Sequence, residues 1–140
     1  MLFSILGNLP PLFISFLYED GMSSAFLNSL FIIFSLGLLM WLATVRSHAE
    51  LSIRDGFLVV TLFWAVLGTA GSLPFIMSSA IDLSVTDAIF ESLSGLTTTG
   101  ATVISGLDAL PKSILFYRQQ LQWLGGMGII VLAMALLPML

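Results

Sequence analysis

The chain has 140 residues, of which 58% are hydrophobic and 9% charged, with a mean hydropathy of +1.08. A soluble domain carries about 25% charged residues, so this composition excludes a soluble fold and specifies an integral membrane protein. The formal charge of −4 and the scarcity of Lys and Arg leave no basic patch for phosphates, which excludes nucleic acid as a partner. The lack of cysteine removes disulfides, thiolate metal sites and cysteine nucleophiles.

Four windows carry no charged side chain: Met1–Tyr18, Gly21–Val45, Gly56–Ile81 and Gln119–Leu140. Each can hold the roughly 20 apolar residues that cross a bilayer, so four transmembrane helices are expected. The first window could also be a signal peptide. It has no basic start, Asn8-Leu9-Pro10-Pro11 interrupts its apolar run and no small-residue cleavage site follows. It reads better as a helix bent at Pro10-Pro11, because proline removes a backbone donor.

The first turn, Glu19-Asp20-Gly21, is acidic. The second connection, Arg46 to Asp55, contains Arg46, His48 and Arg54. Short cytoplasmic loops collect Lys and Arg, which places that connection inside and the acidic turn outside. The next helix, about Phe57 to Met77, then runs outward and the last returns, so both termini of the chain are expected in the cytoplasm.

Between the last two helices, Ser78 to Pro111 is too polar to span and too apolar for an ordinary loop. Ser84-Val85-Thr86-Asp87 has the form of a capping box, and helical spacing places Ile89, Phe90 and Leu93 on one side. Gly95 weakens the helix, and Gly100 permits backbone angles closed to other residues. A helix from Thr86 to Leu96 would be about 16 Å long at ~1.5 Å per residue, roughly half of a ~30 Å hydrocarbon core. Five extended residues could climb back the same distance at about 3.3 Å each. A half-membrane helix with an extended return is the geometry of a pore loop. The helix C-terminus would favour a cation near mid-membrane, and carbonyls of Thr97 to Gly100 could replace the hydration shell of K⁺. The alternative is a structured external loop whose threonines cap neighbouring helices.

Phe57 to Leu140 resembles the first membrane-pore-membrane repeat of the bacterial Trk/Ktr potassium-uptake transporters, in particular the TrkH-type pore subunit. The resemblance is carried by Leu62-Phe63-Trp64, Leu73-Pro74-Phe75, Thr86-Asp87-Ala88 and the run from Glu91 through Leu96-Thr97-Thr98-Thr99-Gly100 to Thr102. Gly106-Leu107-Asp108, Phe116-Tyr117-Arg118-Gln119 and Gln122 through Gly125-Gly126-Met127-Gly128 to Ile130 extend it. Residues 1–52 look like that subunit's additional N-terminal helix pair, and residues 53–140 like its first repeat, with a pore helix at about 85–96 and a filter at 97–101. The resemblance implies that Thr98, Thr99 and Gly100, flanked by Thr97 and Ala101, supply one quarter of a K⁺ cage of backbone carbonyls. It also implies a homodimer, a cytosolic nucleotide-binding regulatory subunit, a location in the bacterial inner membrane and no cofactor beyond the transported K⁺. One repeat stands here where the family has four, so the chain is expected to be the N-terminal portion of a longer polypeptide.

The remaining polar residues carry narrower expectations. Arg118 lies about 9 Å along the last helix from Lys112. A charge within the membrane needs a partner, and Glu91 is the candidate; the pair would brace the loop from behind. Otherwise Arg118 snorkels to the headgroups and Glu91 faces water. Asp82, Asp87, Glu91 and Asp108 could line an outer vestibule that concentrates cations, or could lie outside by topology alone. Gly125-Gly126-x-Gly128 could be a hinge, although small residues in membrane helices more often permit close approach. Gln119, Gln120 and Gln122 are expected to bond to the re-entrant backbone. His48, the lone histidine, is expected to be solvated, and Trp41, Trp64 and Trp123 to anchor or pack.

The chain is therefore expected to be an all-α integral membrane protein with four transmembrane helices, one re-entrant half-membrane pore helix and an extended filter strand. Its expected function is that of a K⁺ uptake pore subunit. The alternative is a small helical membrane scaffold whose re-entrant segment binds a protein. An enzyme is not expected, since no nucleophile–base pair occurs in a membrane segment.

Overall fold

The computed structural model of the chain describes residues 2–45 and 53–136. Of the connection Arg46 to Asp55, on which the expected orientation rests, residues 46–52 with Arg46 and His48 lie outside the described residues, while Arg54 falls in the first turn of the helix that follows. The described residues are helical, with turns and irregular connections and without a β-strand: α1 (Leu2–Tyr18), α2 (Ser23–Thr44), α3 (Ile53–Gly71), α4 (Leu73–Ile76), α5 (Val85–Leu96), a 3₁₀ turn (Leu107–Ala109) and α6 (Lys112–Leu136).

Each proline dictates a local event. In a regular helix the Leu6 carbonyl accepts from the N–H of residue 10, but Pro10 has none. α1 nevertheless continues through Pro10 and Pro11, and the Gln120 side chain of α6 donates Nε2–H to the Leu6 carbonyl in place of the missing amide. Pro74 acts more drastically. The helix expected from Phe57 to Met77 breaks at Ser72 into α3 and α4, because a proline at 74 withdraws the donor for the Ala70 carbonyl and its ring crowds that turn. Ser72 closes α3 by donating both its N–H (3.3 Å) and its hydroxyl (2.7 Å) to the Thr69 carbonyl.

Among the described residues, Ser23–Thr44 is the helix long and apolar enough to cross a membrane by length and composition, while the apolar parts Leu6–Tyr18 and Val60–Ile76 are shorter. α6 is longer but begins with Lys112 and Arg118 in a polar first half. Outward-facing apolar residues are abundant. Phe31, Met40 and Trp41 of α2 and Trp123 of α6 are each more than half exposed in the isolated chain, as expected where the surrounding medium is apolar.

α6 organises the interior through two stripes set roughly 100° apart around its axis at 3.6 residues per turn. Ser113, Tyr117 and Gln120 face α1, α2 and the α3–α4 junction; Arg118, Leu121 and Gly125 face α5. Tyr117 is fully buried, stacks edge-on to Phe26 (centroids 5.6 Å apart, planes at 69°) and lies 5.2 Å from the Phe75 ring. Its hydroxyl donates to the Gly71 carbonyl at 2.8 Å, so the polar end of the ring is satisfied at the break in α3. Such aromatic pairs contribute about 0.5–1.5 kcal/mol each beyond burial.

Candidate functional site

The site is built on α5. Ser84 is its N-cap: the hydroxyl accepts from the Asp87 N–H (3.1 Å) and donates to the Asp87 carboxylate (2.7 Å). The buried residues are Ala88, Glu91, Ser92, Ser94, Gly95 and Leu96, whereas Phe90 is 43% exposed. Small residues face inward because α5 is wedged between α3 and α6. A Cβ on Gly68 of α3 would meet the Leu93 side chain at 2.2 Å, one on Gly71 the Ser92 hydroxyl at 2.4 Å, and one on Gly95 the Leu121 Cβ at 3.0 Å. The tightest approach is at Gly125, where a Cβ would stand 1.9 Å from the Leu96 carbonyl oxygen. The glycines of α6 divide accordingly. Gly125 is a packing residue, whereas Cβ atoms on Gly126 and Gly128 would make ordinary contacts with Thr98 (3.8 Å) and Trp64 (3.6 Å).

Beyond Leu96 the chain does not extend at once. Thr97 closes the helix with φ −81° and ψ 3°, and Thr98 (φ +58°) and Gly100 (φ +74°) are left-handed. The plain extended strand expected over 97–101 is therefore replaced by a tight wrap over the helix end. The cause lies in the unpaired carbonyls of the last turn, which capture the loop amides. Leu93 accepts from the Thr97 N–H (2.8 Å), Gly95 from Thr98 (2.9 Å), and Ser94 from both Thr99 (3.0 Å) and Gly100 (3.3 Å). The Thr97 hydroxyl also donates to the Leu93 carbonyl (2.8 Å) and lies 2.9 Å from the Thr99 hydroxyl. With their amides turned toward α5, Thr98, Thr99 and Gly100 keep carbonyls that accept no hydrogen bond among the described residues. The flanking carbonyls are occupied: Thr97 by the Thr98 hydroxyl (2.7 Å) and Ala101 by the Ser94 hydroxyl (2.6 Å). All five residues from Thr97 to Ala101 are exposed on the isolated chain.

Glu91 and Arg118 meet. Arg118 Nε lies 3.1 Å from Glu91 Oε2, and the carboxylate side chain is 1% exposed. The other oxygen, Oε1, accepts from the Thr102 hydroxyl (2.5 Å) and from the amides of Val103 (2.6 Å) and Ile104 (3.4 Å). One buried carboxylate thus joins α5, α6 and the segment leaving the loop. This removes Glu91 from the acids that could line a vestibule. Asp82 and Asp108 are exposed, and Asp87 is engaged at the cap.

The glutamines depart from expectation. Gln120 bonds to α1 rather than to the re-entrant backbone, Gln119 is exposed, and Gln122 approaches Gly100, where its Nε2 would lie 3.2 Å from an added Cβ. Sequence reasoning also missed Ser94 and Thr102, whose hydroxyls tie the adjacent Ala101 and Thr102 of the loop's return to α5, and Asp20. The Asp20 carboxylate accepts from the Ser15 hydroxyl (2.6 Å), the Met22 N–H (3.2 Å) and the Ser113 N–H of α6 (3.0 Å). Partial burial works to raise this carboxyl, but the hydrogen bonds from Ser113, Ser15 and Met22 outweigh it and hold it below its ordinary range.

Known proteins with this arrangement are membrane transporters of cations. Residues 22–140 match the family TrkH, described as a cation transport protein. The Trk system potassium uptake protein TrkH of Halomonas elongata is 59% identical over the whole chain, and its namesake in Escherichia coli K12 is 55% identical over 130 residues. The crystal structure of the potassium transporter TrkH from Vibrio parahaemolyticus superposes with a TM-score of 0.91 at 58% identity, covering 98% of this chain and 29% of that one. The chain belongs to the TrkH family. It spans 29% of the length of the Halomonas protein.

Proposed function

We propose that this chain forms part of the pore subunit of a K⁺ uptake transporter and that Thr98, Thr99 and Gly100 provide one strand of its ion filter, with Thr97 and Ala101 as flanks. The observation that carries this reading is the set of carbonyls at 98–100, which accept no hydrogen bond among the described residues; the amides of Thr99 and Gly100, bonded to Ser94, turn the trans carbonyls of Thr98 and Thr99 away from α5. A dehydrating K⁺ needs oxygen ligands in place of water, and backbone carbonyls supply them without a formal charge that would hold the ion too tightly. The C-terminal end of α5 adds a partial negative charge beside the ion. Glu91 and Arg118 support the loop from behind, neutralising each other so that neither adds a net charge to the path. One strand makes one side of such a cage; three comparable strands complete it.

In this reading α1, α2, α3 with α4, and α6 are four spans, α5 is the re-entrant half-membrane helix, and both termini of the chain face the cytoplasm of a bacterium whose inner membrane holds the protein. The family resemblance supports a homodimer and a cytosolic nucleotide-binding regulatory subunit as partners, with the lipid bilayer around them.

Gly100→Ser is the direct test. The side chain would be strained at φ +74° and would crowd Gln122 Nε2, so the Gly100 carbonyl should turn. Growth of potassium-limited cells should lose its preference for K⁺ over Na⁺ by about tenfold, equivalent to about 1.4 kcal/mol. Unchanged selectivity would remove the filter assignment. Sequencing the gene past codon 140 should reveal three further half-helix-plus-glycine units, whereas a native stop codon there would favour the membrane scaffold.

A further inference from the structure

The α1–α2 hairpin is joined to the rest of the molecule by polar contacts that the filter reading does not use. At one end, the Asp20 carboxylate receives the Ser113 N–H in the first turn of α6, 93 residues away. Pro111, which precedes α6, has no side-chain acceptor to cap the helix, and Asp20 supplies one from another element. Seven residues further along, about 10 Å at ~1.5 Å per residue, Gln120 bonds to the Leu6 carbonyl that Pro10 left without a donor. On the other flank, the Ser78 hydroxyl lies 3.3 Å from the Met22 sulfur, and Ser29 lies 3.6 Å from that of Met77. Asp20 itself is held by a turn in which Glu19 (φ +51°) and Gly21 (φ +74°) are both left-handed.

Two bonds at different heights on one stripe of α6 fix both its axial position and its rotation against α1. α6 is also the helix that touches the loop twice: Gly125 lies against the Leu96 carbonyl where the loop begins, and Arg118 holds Glu91, which holds Thr102 to Ile104 where the loop ends. A helix whose backbone abuts Leu96 with no room for a methyl group cannot slide or turn without moving the loop.

We infer that the α1–α2 hairpin is a positioning element for the ion path, and that Asp20 and Gln120 set the height and rotation of α6 and thereby the placement of carbonyls 98–100. This rests on the transport reading given above and adds to it a role for residues remote from the filter.

The test is K⁺ uptake by potassium-depleted cells expressing the native gene product, with the amount in the membrane measured in parallel. Asp20→Asn leaves one side-chain acceptor where the carboxylate had two and so weakens the bond to Ser113. It should raise the apparent KM for K⁺ and the inhibition by Na⁺ by about tenfold, about 1.4 kcal/mol, at unchanged amount and maximal rate per molecule. Gln120→Met should act in the same direction, while Phe16→Ala, on the exposed face of α1, should change nothing. If Asp20→Asn does not accumulate, Ser15→Ala, a small truncation that removes only the 2.6 Å bond orienting the carboxylate, gives the same readout on a smaller scale. Variants that lower the amount of protein while leaving KM and Na⁺ inhibition unaltered would overturn the inference and reduce the hairpin to a membrane anchor. Absence of uptake from the unaltered gene product would instead dismiss the transport reading beneath it.

Discussion

Gly125 and Gly126 are adjacent and chemically identical, yet the fold treats them differently. A methyl group at 125 would overlap backbone on the Leu96 side, whereas one at 126 would meet only a threonine methyl at 3.8 Å. Gly125→Ala should cost on the order of 3 kcal/mol or more, because the overlapped atoms are backbone and cannot rotate aside. Gly126→Ala should stay within about 1 kcal/mol, since a helical glycine gains that much propensity on becoming alanine. Thermal unfolding of the purified protein in detergent separates the two, and equal losses would mean that Gly125 does not abut Leu96. Glu91 offers a second contrast. Glu91→Gln preserves size and one acceptor but leaves Arg118 opposite a neutral group, and breaking a buried pair from one side costs about 3–5 kcal/mol. The double variant Glu91→Gln, Arg118→Gln should be less destabilised than the sum of the single changes by about 1 kcal/mol or more. Strict additivity would show that the two charges do not act together.

Elements became legible in the sequence in proportion to how local their causes are. α5 starts where Ser84-x-x-Asp87 starts it, because a cap is written within four residues. The Glu91–Arg118 pair could be named because charges are so scarce among apolar residues that each needs a partner. The break at Ser72 was missed although its cause is local: the helix was expected to run through Pro74 to Met77, and the proline interrupts it. The wrap of Thr97 to Gly100 was not legible, since it depends on which helix-end carbonyls the loop amides find. Nor could Gln120 be told from Gln119 and Gln122 without knowing that Pro10 had orphaned a carbonyl on α1. Asp20 was hidden most completely: an acidic turn looks like any solvated turn, and its partner lies 93 residues on. The Asp20 clasp has a pH signature with a defined sign. Its carboxyl is held below the ordinary 3.8, so its contribution to stability is complete above that value and is lost as pH falls through the lower folded value. Acid unfolding followed from pH 6 to pH 2, on the order of the carboxylate titration range, should show Asp20→Asn losing its deficit relative to the native protein at the acid end. A deficit that is constant with pH would contradict a charged clasp.

At the scale of the whole molecule, α6 is the keystone. It bonds to the α1–α2 turn, to the body of α1, to the end of α3 and to α5, so every other packed helix is referenced to it directly or through one neighbour. It is also the last of the described helices in the chain. That ordering has a consequence in time. Synthesis proceeds at about 5–20 residues per second. The Gln120 amide that satisfies the Leu6 carbonyl is separated from it by 114 residues, so it emerges about 6–23 s after its acceptor. Until then, in the reading that makes α1 a span, its Leu6 carbonyl would lack the donor that Pro10 withholds, a costly state in a medium without water. The double proline of α1 thus makes the seating of α1 in this segment wait for the arrival of α6.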